Sequence, residues 1–212
     1  MARYIGPTCR LCRRVGEKLM LKGERCLTPK CALERRSGPP GRHTLPRRRG
    51  RGGVSDRGIQ LGEKQKARYT YGVLERQFRK FFAEAGRLPG PTGENLLVLL
   101  ERRLDNVVYR LSWADSRSQA RQVVRHGHIL LNKRKTDIPS CLVKVGDIIE
   151  WREAGTRTEY YKKLVETLEG KTIPGWLSLD RERLVGQVLA LPSRDDIGAK
   201  FNEKAIVEYY SR

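Results

Sequence analysis

Residues 102–153 read RRLDNVVYRLSWADSRSQARQVVRHGHILLNKRKTDIPSCLVKVGDIIEWRE. The stretch divides by period. Leu104, Val107, Val108 and Leu111 recur at helical spacing. Ser116 and Gln119 match a Ser-x-x-Gln capping box that opens a second helix. This helix turns Ala120, Val123 and Val124 to a core and stops at Gly127. HILLN (128–132) and DIIEW (147–151) read as strands, with turns at Asn132-Lys133 and Val145-Gly146-Asp147. Cys141, in IPSCLVKV, reads as a small core residue.

The second helix carries a further face. Arg117, Arg121 and Arg125 repeat every four residues. A rise of 1.5 Å per residue sets them about 6 Å apart, close to the phosphate spacing of a nucleic-acid strand. No acid alternates with them along that helix, so surface ion pairs do not account for the row. The row reads as a phosphate contact rather than a merely solvated face. Arg103, Arg110, His126, Lys133, Arg134 and Lys135 extend the candidate set.

The charge of the whole chain points the same way. Its 212 residues hold 44 Lys and Arg against 24 Asp and Glu, a net charge of +20. Residues 1–90 alone carry 23 basic and 7 acidic residues, whereas 136–160 reverse sign. One-sided charge of this size opposes compaction until a polyanion neutralises it, and nucleic acid is the usual partner. A membrane is the weaker candidate, because no apolar run approaches the ~18 residues needed to span a bilayer.

Four of the five cysteines crowd the front: Cys9-x2-Cys12, then Cys26-x4-Cys31. Two close pairs across a short loop suit a structural zinc ion held by four thiolates, with no open position for catalysis. An iron–sulfur cluster or free thiols are the alternatives. The start, MARYIGPTCR, lacks the apolar segment of a secretory signal, which places the thiols in a reducing cytosol. Residues 1–45 hold little apolar material, so bound metal substitutes for a core.

Between the cysteines and residue 102 lie a linker and helices. RRSGPPGRHTLPRRRGRGG (35–53) cannot build a core, and Arg47, Arg48, Arg49 and Arg51 are read as contacts to an RNA backbone. GEKQKARYTYGVLERQFRKFFAEAG (62–86) reads as one helix with Leu74, Phe78, Phe81, Phe82 and Ala85 on its apolar stripe. Lys64, Lys66 and Arg68, with Arg76 and Lys80, take its basic side, and the first three join the candidate RNA contacts. A further helix starts near Gly93, with Thr92 as its N-cap.

These residues resemble a family. RLDNVVYRL (103–111) with SRSQARQVVRHGHILLN (116–132) resembles the RNA-binding module named after the bacterial small-subunit ribosomal protein S-four. ARYIGPTCRLCRR, GEKQKARYTYGVLERQFRKFF, TGENLLVLLERRLDNVVYR, DRERLVGQVLALPSRDDI and EKAIVEYYSR extend the resemblance, in order, over nearly the whole chain. GPPGRHTLPRRR (38–49) departs from the family's basic loop. The resemblance implies a cytoplasmic protein of the small ribosomal subunit, binding its RNA where several helices meet. It implies contacts with neighbouring proteins, S-five among them, near the path by which messenger RNA enters. It also implies a part in assembly and in decoding accuracy, and in some members repression of the protein's own messenger. Cys9, Cys12, Cys26 and Cys31 match the family's zinc-binding form.

The expected architecture is α+β in two lobes: a mainly helical lobe with an N-terminal zinc site, and an inserted small α/β RNA-binding module. Residues 1–45 form the zinc region, 46–101 the basic linker and helices, 102–165 the module, and 166–212 a segment returning to the first lobe. Two other readings stand beside the ribosomal one. An RNA-modifying enzyme could carry the same module, but no phosphate loop or Ser/His/Asp set is present. Asp195-Asp196 reads as a solvated turn. A zinc-dependent DNA regulator would want a base-reading recognition helix rather than a phosphate row.

Overall fold

The computed structural model describes residues 3–36, 38–41, 55–168, 170–198 and 201–211. They belong to two compact units, Met1–Gly93 with Ala199–Arg212, and Glu94–Gly198.

The first unit begins with helix α1 (Cys9–Val15), a 3-10 turn at Gly23–Cys26 and the single turn α2 (Ala32–Arg35). Helix α3 (Asp56–Thr70) starts where the Ser55 hydroxyl accepts the Gly58 N–H at 3.3 Å. It buries Gln60, Lys64 and Ala67, four and three residues apart on one face. Helix α4 (Glu75–Ala85) buries Phe78, Phe81 and Ala85.

The single helix expected over 62–86 is therefore two. Gly72 takes a left-handed φ of 63°, the Val73 N–H turns back to Arg68 O at 3.1 Å, and Leu74 is extended. Glycine reaches that conformation without a Cβ clash, so the chain changes direction there. Residues 56–61 add nearly two turns before the expected start.

The last helix, α11 (Glu203–Tyr210), closes the unit against α3. AIVEYY, which by composition suited a strand as well, is helical from the cap: Asn202 Oδ1 accepts the Lys204 and Ala205 N–H groups. Gln60 Nε2 donates to Glu208 Oε2 at 2.9 Å, and the Asn202 N–H to Glu63 Oε2 at 2.8 Å. Tyr210 lies 4.6 Å from the Phe82 ring and donates its hydroxyl proton to Glu75 at 2.8 Å. Burial and that carboxylate both push the Tyr210 phenol up.

Burial alone would raise Glu75, but the hydrogen bonds from Tyr210 and Lys64 prevail and hold it below its ordinary value of 4.5. A depressed carboxylate adds stability above its unfolded pKa, lost as pH falls through the folded one. Tyr210→Phe is thus expected to cost about 1.5–3 kcal/mol at pH 7, the worth of a hydrogen bond to a charged group. In urea titrations the gap from wild type should narrow below about pH 4.5, as Glu75 protonates. A gap unchanged from pH 7 to pH 3 would mean the bond does not act through Glu75.

The second unit opens with α5 (Thr92–Glu101, whose first residues belong to the unit before), α6 (Leu104–Arg110) and α7 (Arg117–Arg125). Ser116 Oγ caps α7 by accepting the Gln119 N–H at 3.3 Å, while Gln119 Oε1 accepts from the Asp115 N–H instead of completing the reciprocal bond. Strands β1 (Ile129–Leu131) and β2 (Arg134–Lys135) join through Asn132 and Lys133, both left-handed at φ 51° and 64°. Such primed turns match the strand twist of a two-residue hairpin. Strand β3 (Ile148–Trp151) follows, then α8 (Glu153–Thr156), α9 (Glu159–Thr167), β4 (Leu177–Asp180), β5 (Val185–Val188) and α10 (Arg194–Ile197).

The five strands form one antiparallel sheet in the order β2-β1-β3-β5-β4. Its core takes Leu104, Val107 and Val108 from α6, Leu111 just past its end, Val124 from α7, and Ile129, Ile149, Leu177 and Val188 from the strands. Half-buried Cys141 packs against this cluster. Gly186 has a packing reason: a Cβ there would fall 2.6 Å from Leu111 Cδ1, so only glycine lets β5 lie this close to α6.

The architecture is α+β. The segment after residue 165 divides: β5 pairs with β3 and β4 with β5, and only the part from Ala199 belongs with the helical unit. Asp195-Asp196 lies in the turn α10, where Asp196 and Ser193 make a reciprocal capping box.

Candidate nucleic-acid interface

Helix α7 packs on α6, and two acids of α5 and α6 meet its arginines. Asp105 accepts from Arg103 at 3.0 and 2.7 Å and from Arg121 at 3.0 Å. Arg103 has no exposed surface and Arg121 only 8%. Glu101, fully buried, accepts from Arg110 at 2.8 Å through both oxygens and from Asn106 Nδ2 at 2.6 Å. Arg117 donates to Asn106 Oδ1 at 2.7 Å and lies 4.5 Å over the Tyr109 ring.

The expected row of three phosphate-seeking arginines is thus broken. Arg117 and Arg121, together with Arg103 and Arg110, hold α5, α6 and α7 together. The compensating acids come from neighbouring helices, where spacing along α7 could not reveal them. Arg125 alone of the row is exposed.

A second cluster replaces the row. Arg125 and His126 end α7, and Lys133, Arg134 and Lys135 follow on the hairpin, all five exposed. Gly127 stands where the two meet. At φ 72° it ends the helix, and a Cβ there would fall 2.6 Å from Lys135 Cε. Side-chain cations at this point also favour the negative end of the α7 dipole.

In the helical unit the expected contacts are engaged. Lys64 is buried, 3.0 Å from Glu75 and 4.6 Å from the Tyr209 ring centre. Lys66 pairs with Glu17 at 2.6 Å and Glu63 at 2.8 Å, and Arg68 with Glu75 at 3.3 Å. Arg76, Arg79 and Lys80 of α4 are exposed, Arg79 at 3.5 Å from Glu75, and Arg79 was not singled out from sequence. Their three- and four-residue spacing on a helix that buries Phe78, Phe81 and Ala85 was the available signal. Arg47, Arg48, Arg49 and Arg51 lie outside the described residues.

The front cysteines share one small cavity of about 20 Å³, lined by Cys9, Cys12, Cys26 and Cys31 with Lys22 and Arg25 at its edge. That is room for one ion or water. Cys9 and Cys12 sit one turn apart on α1, Cys26 ends the 3-10 turn, and Cys31 precedes α2. The Lys22 N–H donates to Cys26 Sγ at 3.4 Å. Burial pushes the Cys12 thiol up, a backbone hydrogen bond at Leu19 opposes this, and the other three cysteines add repulsion. Among the described residues, no three His, Cys, Asp or Glu side chains are drawn together tightly enough to grip a metal ion. The donor set suits zinc, but the sulfurs line the cavity without closing on its centre.

Comparison with known proteins adds to this geometry. Residues 3–101 match the family model described as ribosomal protein S4/S9 N-terminal domain, and residues 102–149 match the S4 domain. Three relatives match over their whole length and the whole of this chain. The small ribosomal subunit protein uS4 of Dehalococcoides mccartyi is 55% identical over 213 residues. Those of Heliobacterium modesticaldum and Halothermothrix orenii are 56% and 54% identical over 212 residues.

Proposed function

The chain belongs to the family of small ribosomal subunit protein uS4, and from that premise we propose that it is a structural, non-enzymatic protein of the bacterial cytoplasmic ribosome that binds small-subunit RNA directly. Binding helps nucleate assembly of the body of the subunit and contributes to decoding accuracy. Neighbouring ribosomal proteins, S-five included, and messenger RNA on its way in are the further partners of this reading.

The observation that carries it is the exposed cluster Arg125, His126, Lys133, Arg134 and Lys135, gathered by the approach of Lys135 to Gly127. Four permanent cations with no acid among them make a site for RNA phosphates, released counterions supplying the driving force. Arg76, Arg79 and Lys80 are a second basic site, although Arg79 also lies 3.5 Å from Glu75. Arg103, Arg110, Arg117 and Arg121 act indirectly, by holding the helix whose end presents the first cluster.

Zinc belongs to the same reading. Cys9, Cys12, Cys26 and Cys31 would hold one structural ion, supported by their common cavity and by the repulsion among thiolates that a cation would relieve. The ion would crosslink α1, the 3-10 turn and α2, supplying what a small apolar core cannot.

Affinity for a small-subunit RNA fragment is the test. A plot of log affinity against log salt should be steeper than about −2, the slope for three phosphates at ~0.7 each. Replacing Lys133, Arg134 and Lys135 together by Ala should flatten it by about two units. A slope near zero for the wild-type chain would end the RNA reading.

A further inference from the structure

Beside the basic cluster the second unit has a cleft of about 290 Å³. Its walls include Gln122, His126, His128, Trp151, Thr158 and Tyr160, and no acid lines it. Four of these side chains form a ladder of rings. Centroid separations are 6.0 Å for His126–His128, 6.2 Å for His128–Trp151 and 6.1 Å for Trp151–Tyr160. The ladder is braced from behind, because Tyr160 donates its hydroxyl proton to Trp113 O at 2.5 Å. The Trp151 ring N–H is buried and has no acceptor among the described residues. Burial, His126 and nearby Arg152 hold His128 below its ordinary pKa, so its ring is neutral at pH 7 and carries both a donor and an acceptor.

We propose that this cleft takes one unstacked base of the small-subunit RNA, laid against the His126–His128–Trp151 ladder and hydrogen-bonded at its edge by Gln122. The inference rests on the RNA reading above and adds base recognition to phosphate contact. Three features select a nucleobase. The volume is near the ~300 Å³ lower bound of small-ligand sites, suited to one ring system. Flat rings beside amide and imidazole groups are how single-stranded RNA bases are held. The cleft is also continuous with the phosphate cluster, since His126 belongs to both, so a base turned inward stays tethered to a backbone that the cluster holds.

The experiment uses the full chain and a small-subunit RNA transcript. His126→Ala with Gln122→Ala alters two exposed positions and should leave the thermal melt unchanged. Loss of one stacked base is expected to weaken binding about 5- to 100-fold. Base-edge chemical protection should disappear at one unpaired nucleotide, and the salt slope should change by less than replacing Lys133, Arg134 and Lys135 changes it. His126→Phe, which keeps a ring, should restore most of the affinity. Ultraviolet crosslinking should join the peptide holding Trp151 or Tyr160 to a single nucleotide. Unchanged affinity and protection in the double variant would overturn the base site alone. So would a crosslink from that peptide to a protein of the assembled subunit. Failure of the wild-type chain to bind the transcript would sink the RNA reading, and this inference with it.

Discussion

Asp105→Ala is expected to lower the unfolding free energy of the Glu94–Gly198 unit by about 3–5 kcal/mol, the cost of breaking a buried ion pair from one side. The reason is arithmetic of charge. Arg103 and Arg121 both donate to this carboxylate, and both are buried. Removing it deprives two desolvated guanidinium groups of their counter-ion, and neither can shed its proton. A second variant separates broken pairing from lost volume. Replacing Arg103 and Asp105 together by Met and Leu should cost less than Asp105→Ala, because one buried guanidinium, that of Arg121, then loses this carboxylate rather than two. Urea unfolding followed by tryptophan fluorescence reads both, since Trp113, Trp151 and Trp176 all lie in this unit. A cost below about 1 kcal/mol for Asp105→Ala would show that water reaches the pair and that the arginines are held otherwise.

Removing the proposed zinc is expected to be at least as costly to the front of the chain. Apart from the cysteines themselves, the buried apolar residues described before α3 are Leu11 and Leu19. Two leucines contribute about 3–6 kcal/mol on burial, far short of the entropy of ordering some thirty residues. Structural zinc supplies roughly 10–16 kcal/mol in small thiolate sites. Chelation should therefore release one zinc per chain and abolish amide-exchange protection across residues 3–36. The melt of the Glu94–Gly198 unit should not change. Because the thiols must lose protons to bind, affinity should fall as pH is lowered. Cys12→Ser should reproduce the chelated state. A chain that is metal-free on elemental analysis, yet protected over 3–36, would exclude the site. Visible absorption by the purified chain would redirect it to an iron–sulfur cluster.

Legibility from sequence followed locality. The α7 cap, its stop at Gly127 and the Asn132-Lys133 turn depend on residues within four positions of one another, and each is where the pattern set it. The bend at Gly72 escaped because the apolar stripe of α4 runs in phase with the segment before it, and periodicity cannot register a turn that preserves phase. Strands β4 and β5 escaped for the opposite reason. Four-residue strands with Gly186 inside one of them carry little alternation, and the pairing of β5 with β3 spans some forty positions. The arginine row was legible as a face but not as a function. Asp105 meets Arg121 from 16 residues away, so a signal read along α7 could not distinguish arginines aimed at RNA from arginines aimed at a neighbour's carboxylate. The cluster at the end of α7 was named in full from the sequence, but that the β1–β2 hairpin brings Lys135 beside Gly127 only the fold reveals.

The chain's own route of synthesis follows from where α11 lies. Helix α3 packs against α11, whose sequence is translated more than 130 residues later. The sheet-bearing unit, by contrast, is complete once Gly198 has emerged. On a nascent chain the middle can therefore finish folding while the helices made first still wait, their apolar faces bare, for the final dozen residues. A transcript cut short just before those residues would leave that early half permanently without its partner helix.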